Sequence, residues 1–145
     1  MQAVEMWERF TKECGEELGE MDAWAFGDDP DTLAELVVNG EKTGTSSAYE
    51  LYFLEGEPLP AENTYSVILD SRGEARCVIK TTRVYVVRFD EVSEEHARRE
   101  GEGNKSLAYW KNIHERFFGR EFEKAGIIFD EKAKIVCEEF EVVYK

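Results

Sequence analysis

The amino-acid sequence predicts an α+β fold, a small and mostly antiparallel β-barrel flanked by helices. Three observations carry that reading. Apolar residues recur at helical steps through the first third of the chain, change to alternation near Thr64, and return to helical steps near Ser93. Between the two changes lie runs rich in β-branched and aromatic residues, split by the hairpin signal Asp70-Ser71-Arg72-Gly73. The closing run, Ile135 to Tyr144, sets Val136, Phe140, Val142 and Tyr144 against Glu139 and Glu141, which describes a strand with one buried face.

Residues 3 to 19 read as an amphipathic helix, with Val4, Trp7, Phe10, Cys14 and Leu18 on one face and Gly15 and Gly19 weakening its second half. Trp24, Ala25 and Phe26 lead into the turn signal Gly27-Asp28-Asp29-Pro30, and Trp7, Trp24 and Phe26 read as packing. Asp29 or Asp31 can cap a second helix, Asp31 to Asn39, whose Leu33, Leu36 and Val37 face a core. Ala48 to Leu54 reads as a short helix before Pro58 and Pro60. Tyr65 to Leu69 is a strand. The run Ala75 to Phe89 exceeds an ordinary strand, so it reads as two strands or one long, bent one. Ser93 caps a short helix through Glu100, and Ser106 caps a longer one carrying Leu107, Trp110, Ile113, His114 and Phe117, with Gly119 as a point of interruption. Residues 1–30 form a helical extension packed on a barrel domain of residues 31–145.

Composition narrows the function. A chain of 145 residues can bury a core without disulfides or metal. No run approaches the ~20 apolar residues of a membrane span, and no basic region with an apolar stretch behind it opens the chain. Cys14, Cys77 and Cys137 lie far apart and form no CxxC pair, so the expectation is a cytoplasmic protein with reduced thiols, no cofactor and no membrane partner. A formal net charge of −14 repels phosphate backbones and argues against generic duplex DNA, while leaving room for a small nucleoside-like ligand or an RNA end. Self-association into a homodimer is left open.

The most chemical stretch is Gly40-Glu41-Lys42-Thr43-Gly44-Thr45-Ser46-Ser47. Gly40 stands where a helix commonly ends in a left-handed turn, and the plain reading of residues 41 to 47 is a polar loop. Yet one lysine and four hydroxyls fall within six residues. A lysine among hydroxyls can hold an anion or, once desolvated, act as a base. Neither this stretch nor Gly101-Glu102-Gly103-Asn104-Lys105-Ser106 is a phosphate-binding P-loop, because Glu41 and Asn104 stand where that loop requires glycine.

The ordered set Gly40-x-Lys42-x-x-Thr45, the strand pair around Asp70 to Ile79, Phe89-Asp90-Glu91-Val92, Glu94-Glu95-His96-Ala97 through Glu100-Gly101, Ser106 to Trp110 and the last strand resembles the ASCH domain family. The resemblance covers roughly residues 30 to 145 and is nearest to larger bacterial members with an added N-terminal helical segment. It implies a PUA-like barrel with a cleft for nucleosides or RNA. Small bacterial relatives hydrolyse N4-acetylcytidine with a lysine, a threonine three residues on and a glutamate on the later helix, which implies Lys42, Thr45 and Glu100 as catalytic residues here. Thr45 would attack the acyl carbonyl, Lys42 would take its proton, and Glu100 would protonate the departing nitrogen. Gly40, Gly44, Ser46, Ser47, Arg98 and Asn104 are the ligand-binding candidates, with backbone N–H groups around Gly44 available to an oxyanion. Two departures stand out. Ser47 occupies the place where compact relatives carry an arginine, and Glu102-Gly103-Asn104-Lys105 is inserted.

Arg98 and Arg99 suit surface ion pairs, worth under ~1 kcal/mol each. His96 and His114 read as packed or solvent-facing, and the scattered histidines and cysteines do not make a zinc site. Tyr109 and Trp110 fit core packing, though either could offer a stacking face to a base. Beside the amidohydrolase stand two alternatives: a non-catalytic module for RNA or a modified nucleotide, and a ribonuclease.

Overall fold

The computed structural model describes residues 1–145. Its elements run α1 (Ala3–Cys14), β1 (Asp22–Ala25), α2 (Pro30–Val38), β2 (Gly44–Ala48), α3 (Tyr49–Glu55), β3 (Tyr65–Leu69), β4 (Ala75–Arg88), α4 (Glu94–Glu100), α5 (Leu107–Lys124) and β5 (Lys134–Tyr144). The five strands form one sheet in the order β1-β3-β4-β5-β2. Pairing is antiparallel for β3–β4 and β2–β5 and parallel for β1–β3, which is the expected α+β, mostly antiparallel class. No helix is long and apolar enough to cross a membrane. The chain divides into two compact units, each with its own core.

The first unit comprises Met1–Thr43, Glu62–Arg83 and Phe140–Lys145. Helix α1 buries Met6 and Phe10 against Val67, Ala75 and Val78, and the Phe10 ring lies 5.6–5.9 Å from those of Trp7, Tyr65 and Tyr144. The helix stops at Gly15 rather than reaching residue 19. Gly15 adopts φ 73° and donates its N–H to Thr11 O, and glycine takes that left-handed cap without steric cost while the apolar periodicity simply runs on past it. The Trp24 segment, read as a lead into a turn, is a strand in register with β3, Trp24 beside Ile68. Four residues are too few to display alternation, and a parallel partner is invisible locally.

Helix α2 begins with Asp29 accepting from Thr32 N at 3.3 Å and Pro30 in the first turn, and ends as expected at Gly40, φ 79°. Ala34 and Val37 pack on Phe26, Ile68, Cys77, Ile79 and Phe140. The β3–β4 hairpin closes on Asp70, whose Oδ1 accepts from Arg72 N and Glu74 N, while Gly73 supplies φ 77°. Asp31 holds the same turn through Ser71 N and Oγ, both at 2.8 Å, and those bonds keep its carboxyl below the usual range.

The second unit comprises Gly44–Ala61 and Val84–Glu139. Phe89, Val92, Ala97, Trp110, Phe118, Phe122, Ile135 and Cys137 form its core. Ser93 caps α4 by accepting from His96 N, and Ser106 caps α5 by accepting from Tyr109 N. Helix α5 runs unbroken through Gly119, because burial of Trp110, His114, Phe118 and Phe122 along one face outweighs the ~1 kcal/mol that one glycine costs. The long run from Ala75 is one strand ending at Arg88, with a 3-10 turn at Phe89–Glu91 after it.

The main departure from the sequence reading is β2. Residues 44–47, read as loop, and Ala48, read as the start of a helix, are strand, paired with β5 from Gly44↔Glu139 to Ala48↔Ile135. Its glycine and hydroxyls carry weak strand propensity, so the ladder with a distant segment decides the conformation. Gly44 permits that placement: a Cβ there would meet Arg99 Cβ at 3.1 Å and Glu138 O at 3.2 Å. Gly44→Ala should therefore cost about 1–3 kcal/mol through overpacking, read as a lowered midpoint in thermal or urea unfolding. An unchanged midpoint would contradict the close approach of α4 to β2.

Candidate functional site

The side-chain period of two sorts the hydroxyls of β2 onto opposite faces. Gly44, Ser46 and Ala48 face α4: Gly44 abuts Arg99, Ser46 reaches His96 and Glu100, and Ala48 joins the core with Ala97 and Trp110. Thr45 and Ser47 take the other face. Ser47 Oγ lies 2.7 Å from the Tyr52 hydroxyl, and Thr45 stands directly opposite Glu138 in the ladder.

Glu100 is the centre of the α4 side. It is buried at the C-terminal end of α4, and Oε2 accepts from Ser46 Oγ at 2.6 Å and from the Trp110 indole N–H. His96, one helical turn earlier, brings Nε2 to 2.7 Å from Ser46 Oγ and 3.2 Å from Glu100 Oε2. Because the single Ser46 proton goes to the carboxylate, His96 Nε2–H donates to Oγ, and its Nδ1 is left bare and without a partner. This is not a serine–histidine–carboxylate triad. There the carboxylate orients the histidine from the ring nitrogen remote from the serine, whereas Glu100 approaches on the serine side.

His114 completes the group. Its Nδ1–H donates to Trp110 O at 2.9 Å, its ring stacks on the Trp110 indole at 4.3 Å, and Nε2 faces Glu100 Oε1 at 3.5 Å. Burial acts to lower the His114 pKa, but the Glu100 carboxylate and the backbone bond prevail and hold it above its ordinary value.

A pocket of about 270 Å³ opens on this strand, with Ser46, Ser47, Leu51, Tyr52 and Phe117 in its wall and Glu55, Glu57 and Glu121 around it. Burial raises the Tyr52 pKa against the opposing bond from Ser47, and the Glu138 carboxylate adds to the rise, so Tyr52 stays a phenol. Burial also pushes Glu138 up to about 7.

The structure distributes the expected site residues between the two units. Ser46, Ser47, Thr45 and Glu100 all belong to the second unit, but strand alternation separates Thr45 from Glu100 and puts the Ser46 hydroxyl on the carboxylate. Lys42 belongs to the first unit, is buried, and holds its ammonium 5.2 Å over the Phe26 ring. Gly40 closes α2 with a positive φ, and Gly44 serves close packing. Arg98 is exposed and pairs with Glu95, and Asn104 is exposed with its Oδ1 accepting from Ser106 N. His96, Trp110 and His114, read from sequence mainly as packing, are partners of Glu100. The pairs His96–Glu100 and Trp110–His114 each span four residues on a helix, and that spacing was the available signal. Glu100, Glu102 and His114 also bring one ligand atom each within 4.8 Å of the others.

An α+β chain with a mostly antiparallel sheet, a buried helix-end carboxylate and a hydroxyl-bearing edge strand has the PUA-like fold. The chain belongs to the ASCH domain family, whose model matches residues 22–144, a family associated with RNA binding. It is similar to an ASCH domain from Lactobacillus crispatus JV V101, at 34% identity and TM-score 0.92 over 98% of this chain and 94% of that one. A protein from Enterococcus faecalis V583 is similar at 34% identity and TM-score 0.89, covering 97% of this chain and 87% of that one. A variant of an ASCH protein from Zymomonas mobilis, 13% identical with TM-score 0.50 over 83% and 67% of the two chains, shares the fold alone. No curated protein matches the chain.

The elevated Glu138 carboxyl has a consequence for stability. A group with its pKa raised from 4.5 to about 7 binds a proton more tightly in the folded state, so it favours folding at low pH and loses that contribution as pH rises through 7. Glu138→Gln should flatten the decline in unfolding free energy between pH 5 and 8 by up to ~3 kcal/mol, measured by urea titration at each pH. An unaltered slope would mean that Glu138 ionises as freely as an exposed carboxylate.

Proposed function

We propose that this ASCH-domain protein takes a small nucleoside-type ligand and hydrolyses an N-acyl amide on it, an N4-acylated cytidine or a related amide. The observation that carries the reading is the buried Glu100 carboxylate, which holds the proton of a strand hydroxyl at the edge of a pocket. Amide cleavage needs a hydroxyl relieved of its proton and a proton delivered to the leaving nitrogen, and one carboxylate can perform both in turn. On the other face of the strand, the Ser47–Tyr52 pair shares a single hydrogen bond between two hydroxyls, so one hydroxyl proton remains for a polar group of the ligand.

Pocket chemistry favours a neutral nucleoside over an RNA end. Glu55, Glu57 and Glu121 stand around the opening and would repel phosphate. At about 270 Å³ the pocket lies at the small end of ligand sites and suits one nucleoside-sized group. Leu51 and Phe117 offer apolar wall to a base.

Incubation with N4-acetylcytidine and subsequent chromatography should reveal free cytidine. Glu100→Gln should reduce kcat/KM by about 10²–10⁴-fold while the far-ultraviolet spectrum stays native. Lys42, the lysine of the family motif, is tested in the same assay: as a base it should fail as Lys42→Arg as well as Lys42→Ala, because a guanidinium does not give up its proton. One observation favours binding without turnover, namely that Glu100 Oε2 is engaged by both Ser46 and Trp110. On that reading N4-acetylcytidine binds by calorimetry and is recovered intact.

A further inference from the structure

We infer that Ser46, rather than the threonine of the motif, is the nucleophile of this site, with Glu100 as its proton acceptor and donor. The inference rests on the amide-hydrolase reading above and names the residue that would carry the acyl group.

Four features support Ser46. Its Oγ–H points at Glu100 Oε2 at 2.6 Å, so the proton has a destination. His96 Nε2–H meets the same oxygen at 2.7 Å and fixes its orientation. Ser46 also lines the pocket of about 270 Å³, where an acyl carbonyl could approach, whereas Thr45 does not. Finally, Ser46 is half-buried while Glu100 behind it is buried, so the nucleophile is reachable and its base is shielded from solvent. Thr45 instead faces the Glu138 side of the sheet.

The chemistry balances. Ser46 Oγ attacks the acyl carbon as its proton passes to Glu100 Oε2, giving a tetrahedral oxyanion. Collapse breaks the C–N bond, and Glu100 returns the proton to the leaving amine nitrogen. The product is the free amine and an ester on Ser46. Water then attacks that ester, giving its proton to Glu100. Breakdown restores the Ser46 hydroxyl with that proton and releases the carboxylic acid. His96 and Trp110 are positioning residues: the first holds Oγ, the second holds the carboxylate.

The deciding experiment traps the acyl group. The intact chain is treated with p-nitrophenyl acetate, quenched in acid and mapped by peptide mass spectrometry, and N4-acetylcytidine turnover is measured in parallel. The expected result is one acetyl group on Ser46, lost in Ser46→Ala and reduced more than 100-fold in Glu100→Gln, with Ser46→Cys regaining a trapped thioester. Acetyl on Thr45, or on no residue of β2, overturns the inference. The two readings fail separately. Cytidine release with acetyl on Thr45 keeps the hydrolase and removes Ser46. Acetyl on Ser46 without cytidine release keeps the nucleophile and removes the acylated cytidine as substrate.

Discussion

A carboxylate buried at the end of a seven-residue helix is the constraint around which the second unit is arranged. Taking such a charge out of water costs several kcal/mol unless hydrogen bonds replace the lost solvent. Glu100 obtains them from Ser46 on a neighbouring strand, from Trp110 on the next helix and, when that ring is protonated, from His114. Each donor is in turn held. Trp110 sits in the core against Phe89, His114 is tied to Trp110 O, and Ser46 is locked in the ladder with β5. A substitution at Glu100 would thus leave several donors stranded at once, and the network specifies the mutual placement of α4, α5 and β2.

That placement asks something of the backbone. Strand β2 comes close enough to α4 that a Cβ at position 44 would meet its neighbours at 3.1–3.2 Å, and the approach delivers the next residue on that face, Ser46, to hydrogen-bonding distance of the carboxylate. On the opposite face the sheet holds a second, separate polar group: Thr45 across from Glu138, and Ser47 on Tyr52. The Glu138 carboxyl there is pushed up to about 7 by burial.

Most of the fold was legible in the sequence because it is written locally. Ser93, Ser106 and Asp29 cap helices where expected, Tyr65 to Leu69 is a strand with the anticipated bounds, and the Asp70–Gly73 turn forms the hairpin. What escaped local reading depends on partners distant in sequence. Strands β1 and β2 exist through pairing with β3 and β5, and nothing in Asp22–Ala25 or Gly44–Ala48 alone demands extension. Misreading β2 as loop had one large consequence for the site. In a loop, Thr45 can turn toward Glu100; in a strand its neighbour Ser46 does so. Glu100 was singled out through family resemblance, while its hydrogen-bonding neighbours His96, Trp110 and His114 were read mainly as packing because each sits at helical spacing among buried residues.

Glu100 fixes the tautomer of His96 through Ser46, and Trp110 O fixes that of His114. Ser46 gives its proton to Glu100, so neutral His96 must carry hydrogen on Nε2, and neutral His114 must carry it on Nδ1 to reach Trp110 O. Long-range proton–nitrogen NMR of the uniformly ¹⁵N-labelled protein, at a pH above the His114 titration, reads both directly. The expected result is Nε2–H for His96 and Nδ1–H for His114. Hydrogen on Nδ1 of His96 would mean that its Nε2 accepts from Ser46, that the serine proton does not go to Glu100, and that the carboxylate is not the organising base of this site.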